Sequence, residues 1–197
     1  LRRLAQHWLA ALDELDPRRS MLARRPRPVP PTDPSALDLA ALAASGATKD
    51  TSVPNLSSIA VLALFGGRAV LLTGDAHADT LTTAIRSLQA DRDRDGQRLR
   101  LDALKLSHHG SATATTADLL AVIDCPRYLV STDGSTFFHP DREAIARVVV
   151  HGGAEPTLYF NSRNDLNDFW GDDALKTKYG YRTVHPTDAE GGLRVQW

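Results

Sequence analysis

Cysteine is almost absent from this chain: Cys125 is the only one among 197 residues. A single thiol excludes an internal disulfide framework and leaves no thiolate set for a cysteine-based metal site. Cys125 sits in an apolar stretch, where a small buried residue is the expectation. Net charge is nearly absent too: 23 Lys and Arg against 24 Asp and Glu leave −1. Whole-molecule charge therefore gives no support for nucleic-acid binding, which would need a local basic patch. No apolar run approaches the length of a membrane span. No secretory leader is visible, so a cytoplasmic setting is expected. There is no internal repeat. What remains is ordinary for a globular domain with one core: 42% hydrophobic and 24% charged residues.

The first 52 residues differ in character from the rest. Residues 1–15 place Leu1, Leu4, Trp8, Leu12 and Leu15 at helical spacing, and Pro17 ends that pattern. "PRRSMLARRPRPVPPTDP" reads as an extended Arg/Pro-rich connector. "PSALDLAALAASG" predicts a short helix closed by Gly46, and residues 45–56 read as loop. From residue 53 to 197 the pattern changes. "SSIAVLALF" and "RAVLLTG" read as two strands joined by a tight Gly-Gly turn. Strands and helices then alternate. "ADTLTTAIRSLQA", "TTADLLAVI" and "HPDREAIARVVV" read as helices, and "LRLDALKLS", "RYLVST" and "PTLYFNS" as strands. Late strands near "YRTVH" and "GLRVQW" would close an edge. The expected class is α/β.

Candidate chemistry gathers where apolar strands end, as it does in α/β sheets. "VLLTGDAHAD" ends a strand at Thr73-Gly74-Asp75. Two readings of Asp75 stand side by side: a carboxylate bridging two cations, or a cap for the next helix. His77 and Asp79 have a metal-compatible spacing, but read more simply as exposed polar residues at a helix start. "KLSHHGS" places His108 and His109 where another strand leaves the sheet. Histidine serves equally as metal ligand, as acid/base or as a satisfied structural side chain. Gly110 makes room beside the pair, and Ser111 or Thr113 would cap the following helix. Beyond a third strand lie Asp133, Gly134 and His139. His139 reads either as a group facing a substrate phosphate or leaving oxygen, or as a neighbour of a helix start.

The order of these pieces carries more than any one of them. "PNLSSIAVLALFGGRAVLLTGDA", a helix, "LDALKLSHHGSATATTADLL", "YLVSTDG" and "HPDREAIARV" together resemble the second half of the metallo-β-lactamase fold, in its ComEC-like branch. The resemblance covers roughly residues 53–150. It implies the C-terminal half of a four-layer αββα sandwich and a hydrolase using one or two zinc ions, with manganese as an alternative. It matches Asp75 to the metal-bridging aspartate and one of the histidine pair, His108 by preference, to the late metal ligand. By the same resemblance His139 falls near the substrate and belongs with Asp75 and His108 as catalytic. His109, Ser111 and Asp133 are expected on the substrate side. Asn55, Ser57 and Ser58 match a polar stretch of that branch, with a structural role expected from local hydrogen bonds.

One departure from the family is large. Its H-x-H-x-D-H signature is absent: His7 is the only histidine before His77. Two protein ligands fall short of a catalytic zinc site, which takes three plus water. The expectation is therefore a hydrolase fragment working with a partner, the N-terminal half of the same fold, as a separate chain or cleaved fragment. The start at Leu1 fits that expectation. Phosphodiester hydrolysis of the nuclease type is the leading reading, with Arg18, Arg19, Arg24, Arg25 and Arg27 as a possible strip for a nucleic-acid backbone or simply a solvated linker. A small-ester or small-phosphodiester hydrolase and a non-catalytic scaffold subunit are the alternatives. "NSRNDLNDFWGDD", in the last quarter, reads as a substrate-side loop or partner contact.

Overall fold

The computed structural model describes residues 26–46, 49–187 and 192–196. The predicted helix over 1–15, His7, and Arg18, Arg19, Arg24 and Arg25 lie outside the described residues.

Among the described residues a 3-10 turn (Pro34–Ala36) precedes the first α-helix. Asp38 accepts from the Ala41 amide at 3.0 Å and starts α1 (Leu39–Ala44). The expected loop over 45–56 contains a short helix, α2 (Val53–Leu56), entered through Pro54. β1 (Val61–Phe65) and β2 (Arg68–Leu72) then form an antiparallel hairpin in which Phe65 faces Arg68. Only Gly66 and Gly67 lie between, with φ of +57° and +75°. Both angles are those a two-residue hairpin turn requires, and glycine adopts them without steric cost. Helix α3 (Ala78–Ala90) buries Leu81, Ile85 and Gln89, spaced by one helical turn each.

The stretch "LRLDALKLS" is two short strands rather than the single strand expected. β3 (Leu99–Arg100) pairs with β5 (Ile123–Asp124) in a small separate sheet, whereas β4 (Ala103–Lys105) enters the main one. The reason is a change of partner. The Leu101 amide donates to Asp124 and the next amide, Asp102, to Ala69 on β2. The Asp102 carboxylate completes the switch by accepting from the Ala69 amide at 2.8 Å and from Arg68. Helix α4 (Ala117–Ala121) follows, capped by Thr116, rather than by Ser111 or Thr113. β6 (Arg127–Val130), α5 (Arg142–His151), β7 (Thr157–Phe160), α6 (Asp173–Tyr179) and β8 (Arg182–Val184) complete the order. Residues 192–196 form no strand, so the expected final strand over "GLRVQW" is not present there.

The main sheet has the order β1-β2-β4-β6-β7-β8, and every pair after the hairpin is parallel. This is the α/β class that the alternation of elements predicts. Register aligns Leu71, Leu104, Tyr128 and Leu158 across four strands on one face. All four are buried in one core with Leu81 and Ile85 of α3, Leu120 of α4, Ile145 and Val148 of α5 and Leu175 of α6. Leu39 of α1 is fully buried in the same core, so the segment before residue 52 packs into the domain.

The opposite face is covered much less. Its transverse row reads Val61, Leu72, Lys105, Leu129, Tyr159 and Val184, none of them buried. β1 forms the edge of the sheet and carries no charge or proline. Natural edge strands usually carry such blockers. Phe65 at its end is 89% exposed and Ile59 just before it 82%. Mainly parallel sheets ordinarily have both faces covered.

Candidate active site

Three loops leave the main sheet at the C-terminal ends of β2, β4 and β6 and meet at one rim. After β2, Thr73 is buried and its hydroxyl donates to the Lys105 carbonyl at 2.8 Å, locking this strand end to the next. Gly74 takes φ +56°, a conformation that glycine adopts without strain, and the space beside its Cα is bounded by the Ser58 side chain and Ile59 carbonyl, 3.4 Å from where a Cβ would stand. Its carbonyl accepts from the His108 amide at 3.0 Å. The Ser107 hydroxyl, buried, donates to Ala76 at 2.6 Å. The two loops are thus stitched together directly beneath the acidic and imidazole side chains.

Asp75 stands at this rim with its backbone amide donating to Ser58 Oγ at 3.2 Å. It does not cap the helix: the N-cap position of α3 is His77.

His108 and His109 have φ of +47° and +57°, left-handed backbone that histidine seldom adopts. Two such residues in succession coil the chain tightly. The alternation of a strand is lost, and both rings remain at the rim, 6.3 Å apart between centroids. Their partners differ. Nδ1 of His109 lies 2.6 Å from the Ser131 carbonyl oxygen after β6. A carbonyl only accepts, so Nδ1 carries a proton, and in the neutral ring the lone pair is on Nε2. That Nε2 is 3.8 Å from Asp75 Oδ1. The imidazole nitrogen paired with Asp75 belongs to His109, while the Asp75 charge also reaches His108.

His108 turns toward a different group. Its Nδ1 is 3.3 Å from Asn55 Nδ2 and 3.6 Å from Asp50 Oδ2. Burial, helped by the neighbouring His139, pulls its pKa below the usual imidazole value and favours the neutral ring. Asp50, which sequence reasoning did not single out, is held on both oxygens. Ser52 donates its amide to Oδ1 at 2.8 Å and Asn55 its side-chain amide to Oδ2 at 2.7 Å. Burial alone would raise the Asp50 pKa, but these bonds and the nearby His77 and His108 outweigh it and lower it. The only sequence signal for Asp50 was its place five residues before Asn55 in a polar loop.

The expectation for His77 is corrected. It is buried, with Nε2 3.7 Å from Asp50 Oδ2 and, among the described residues, no hydrogen-bond partner on that nitrogen. The N-cap position turns its ring inward, toward the 50–55 segment. Asp79 is exposed, as expected, and pairs with Lys49 at 2.7 Å. Ser57 bonds locally to Val53, also as expected, whereas Asn55 reaches across to His108.

The third loop brings His139 to 5.2 Å from the His108 ring. His139 is buried, and its Nδ1 lies 3.6 Å from Asp141 Oδ2. Phe137, partly exposed, stands beside it at 6.4 Å between ring centroids. Asp133 is exposed and bound to Ser135, which lowers its pKa. Ser111 is buried and its hydroxyl engages Thr113, so it serves the loop and not an open substrate face. Arg27 is spoken for: it bonds Asp165 and stacks over Phe138. "NSRNDLNDFWGDD" closes mostly on itself through Asn164 and Asn167, with Asn164 also donating to the Asp133 carbonyl at 3.1 Å.

Among the described residues no three His, Cys, Asp or Glu side chains are arranged to hold a metal ion. The pair Asp75 and His109 nevertheless has the chemistry of half a site. A carboxylate offers lone pairs only, and an imidazole fixed through Nδ1–H on a carbonyl is how metal-binding histidines are usually held. Comparison with protein-family models, curated proteins and solved structures finds no match to this chain.

Proposed function

We propose that this chain is the C-terminal part of a metal-dependent phosphodiesterase of the nuclease type, built on the metallo-β-lactamase αββα sandwich. The observation that carries the reading is the facing of Asp75 and His109, with the His109 tautomer set by the Ser131 carbonyl. Asp75 and His109 would hold the metal, zinc in the first instance, together with ligands from a second polypeptide segment. When bound, such an ion lowers the pKa of a water and polarises a phosphoryl oxygen. Two donors are too few for a catalytic zinc, which takes three plus water. The partner that supplies the others is the N-terminal half of the same sandwich, seated on the uncovered sheet face along Val61, Leu72, Leu129 and Tyr159.

The chain's own residues divide the work. Ser131 fixes the His109 ring, and Gly74 lets the β2 loop approach Ser58 so that Asp75 reaches the rim. His108 and His139 form a second imidazole pair next to the first, on the side where a substrate oxygen would lie. Nucleic-acid binding gains nothing from Arg27, which is already paired with Asp165.

The test uses the natural assembly that contains this chain. Metal content is measured by mass spectrometry, and hydrolysis is followed on bis(p-nitrophenyl) phosphate, DNA and RNA. Asp75→Ala and His109→Ala are each expected to lose bound metal and at least about 100-fold in rate, since even supporting residues of metal sites cost 10–100-fold. Full activity in both variants sinks the reading. Folded assembly without metal or hydrolysis points instead to a scaffold subunit.

A further inference from the structure

We infer that Asp50 and Asn55 form a positioning pair that holds His108 as an Nε2–H donor, which makes His108 a hydrogen-bond donor to an anionic substrate oxygen and not a metal ligand. The identity of that oxygen as phosphoryl rests on the phosphodiesterase reading; the tautomer does not.

The inference follows from which atoms can donate. Asp50 Oδ2 lies 2.7 Å from the Asn55 side chain. A carboxylate accepts, so the group facing it is the amide nitrogen, and the orientation of Asn55 is fixed. That nitrogen has a second N–H, and it lies 3.3 Å from His108 Nδ1. An amide nitrogen never accepts, so Nδ1 is the acceptor and the single proton of the neutral ring sits on Nε2. The alternative, Nδ1–H donating straight to Asp50, would span 3.6 Å, too long for a hydrogen bond.

A metal needs a lone pair. In His108 one nitrogen spends its lone pair on Asn55 and the other carries hydrogen. His109, one residue on, is the reverse: Nδ1–H is spent on Ser131, so in the neutral ring the lone pair is on Nε2, the nitrogen 3.8 Å from Asp75. The adjacent histidines therefore have opposite tautomers and opposite jobs. Among the described residues the His108 Nε2–H has no hydrogen-bond partner, and the side chain keeps 23% of its surface open to solvent. A donor at a rim, rigid through the His108 amide bond to Gly74, is arranged to meet developing or resident negative charge.

The experiment is long-range ¹H–¹⁵N correlation on the full chain with ¹⁵N-labelled histidine. Wild type is expected to show His108 as the Nε2–H tautomer. Asn55→Asp, which puts an acceptor where the donor was, should move the proton to Nδ1. Asn55→Leu should leave a mixture of tautomers, and circular dichroism checks that each variant folds. A wild-type Nδ1–H ring, or a tautomer indifferent to both substitutions, overturns the positioning pair. Inorganic phosphate is then titrated into the same sample. It should shift the His108 Nε2–H resonance, with at least tenfold weaker binding in Asn55→Leu. Shifts confined to other histidines overturn the donor role. A protein with the expected tautomer that hydrolyses nothing would fail the phosphodiesterase reading alone.

Discussion

Gly110 lies so close to Pro140 that a Cβ at position 110 would stand 2.9 Å from the proline Cβ. Its φ of +83° adds a backbone demand that other residues meet poorly. This contact joins the loop after β4 to the loop after β6. The Asp141 amide donates to Gly110 at 3.0 Å, and Asp141 Oδ2 accepts from Ala112 at 2.8 Å. Gly110→Ala is therefore expected to cost about 1–3 kcal/mol, the size of one strained backbone residue. It should also widen the gap between His108 and His139. Urea unfolding checks the first and histidine NMR shifts the second. A variant as stable as wild type would mean that the loops yield freely at this point.

Arg147 is the other clamp. It is almost fully buried on α5 and donates to four carbonyls: Ala43, Ser45, Ala112 and Thr115. Two belong to the segment leading to Asp50, and two to the loop following His109. Arg147→Met strands those acceptors, at roughly 1–3 kcal/mol for each group left unsatisfied and unreached by water. Arg147→Lys supplies a point charge without the fork and should recover only part of the loss. Chemical denaturation measures both. Hydrogen exchange in both variants should rise first in residues 43–46 and 112–115, and uniform change across the chain would contradict the clamp.

How much of this was legible beforehand depends on sequence distance. The Gly66-Gly67 turn, the α/β alternation and the clustering of Asp75, His108, His109 and His139 at strand ends are local patterns, and they were readable. Asp50 and Arg147 were not: Asp50 bonds locally but meets His108 through Asn55 across 53 residues, and Arg147 to Ala43 spans 104. The resemblance prefers His108 as the late metal ligand; what it does not convey is that two consecutive left-handed residues bring the second ring, His109, to 3.8 Å from Asp75. His77 reads as a surface residue because polar residues at helix starts usually face water, whereas the N-cap backbone points it at Asp50.

Cys125 gives a check on the core that is independent of the site. It is buried, its thiol donates to the Arg127 carbonyl at 3.1 Å, and burial pushes its pKa up to about 12. Thiolate is the reactive form, so native protein at pH 8 should label with a thiol reagent far more slowly than urea-unfolded protein. Equal rates would mean that the β5–β6 region opens readily in the native state.

Acid should destabilise the fold in two separate steps, and the sign follows from the two groups around Asn55. His108 has a lowered pKa when folded, held there by burial and by His139 against the opposing pull of Asp75 and Asp50. As pH falls below the usual imidazole value of about 6.5, the unfolded chain takes up this proton first and stability drops. Asp50 has its pKa lowered by Asn55, Ser52, His77 and His108 in spite of burial. Its contribution is complete above the usual carboxylate value of about 3.9 and is lost as pH falls through the lower folded value. Unfolding free energies from pH 8 down to pH 3 test this. His108→Asn should reduce the upper step, to which His185, also lowered by burial, contributes, and Asp50→Asn should reduce the lower one, which Asp102 shares. A wild-type profile that is level between pH 7 and 5, or two variants that both leave the profile unchanged, would remove these groups from the acid response.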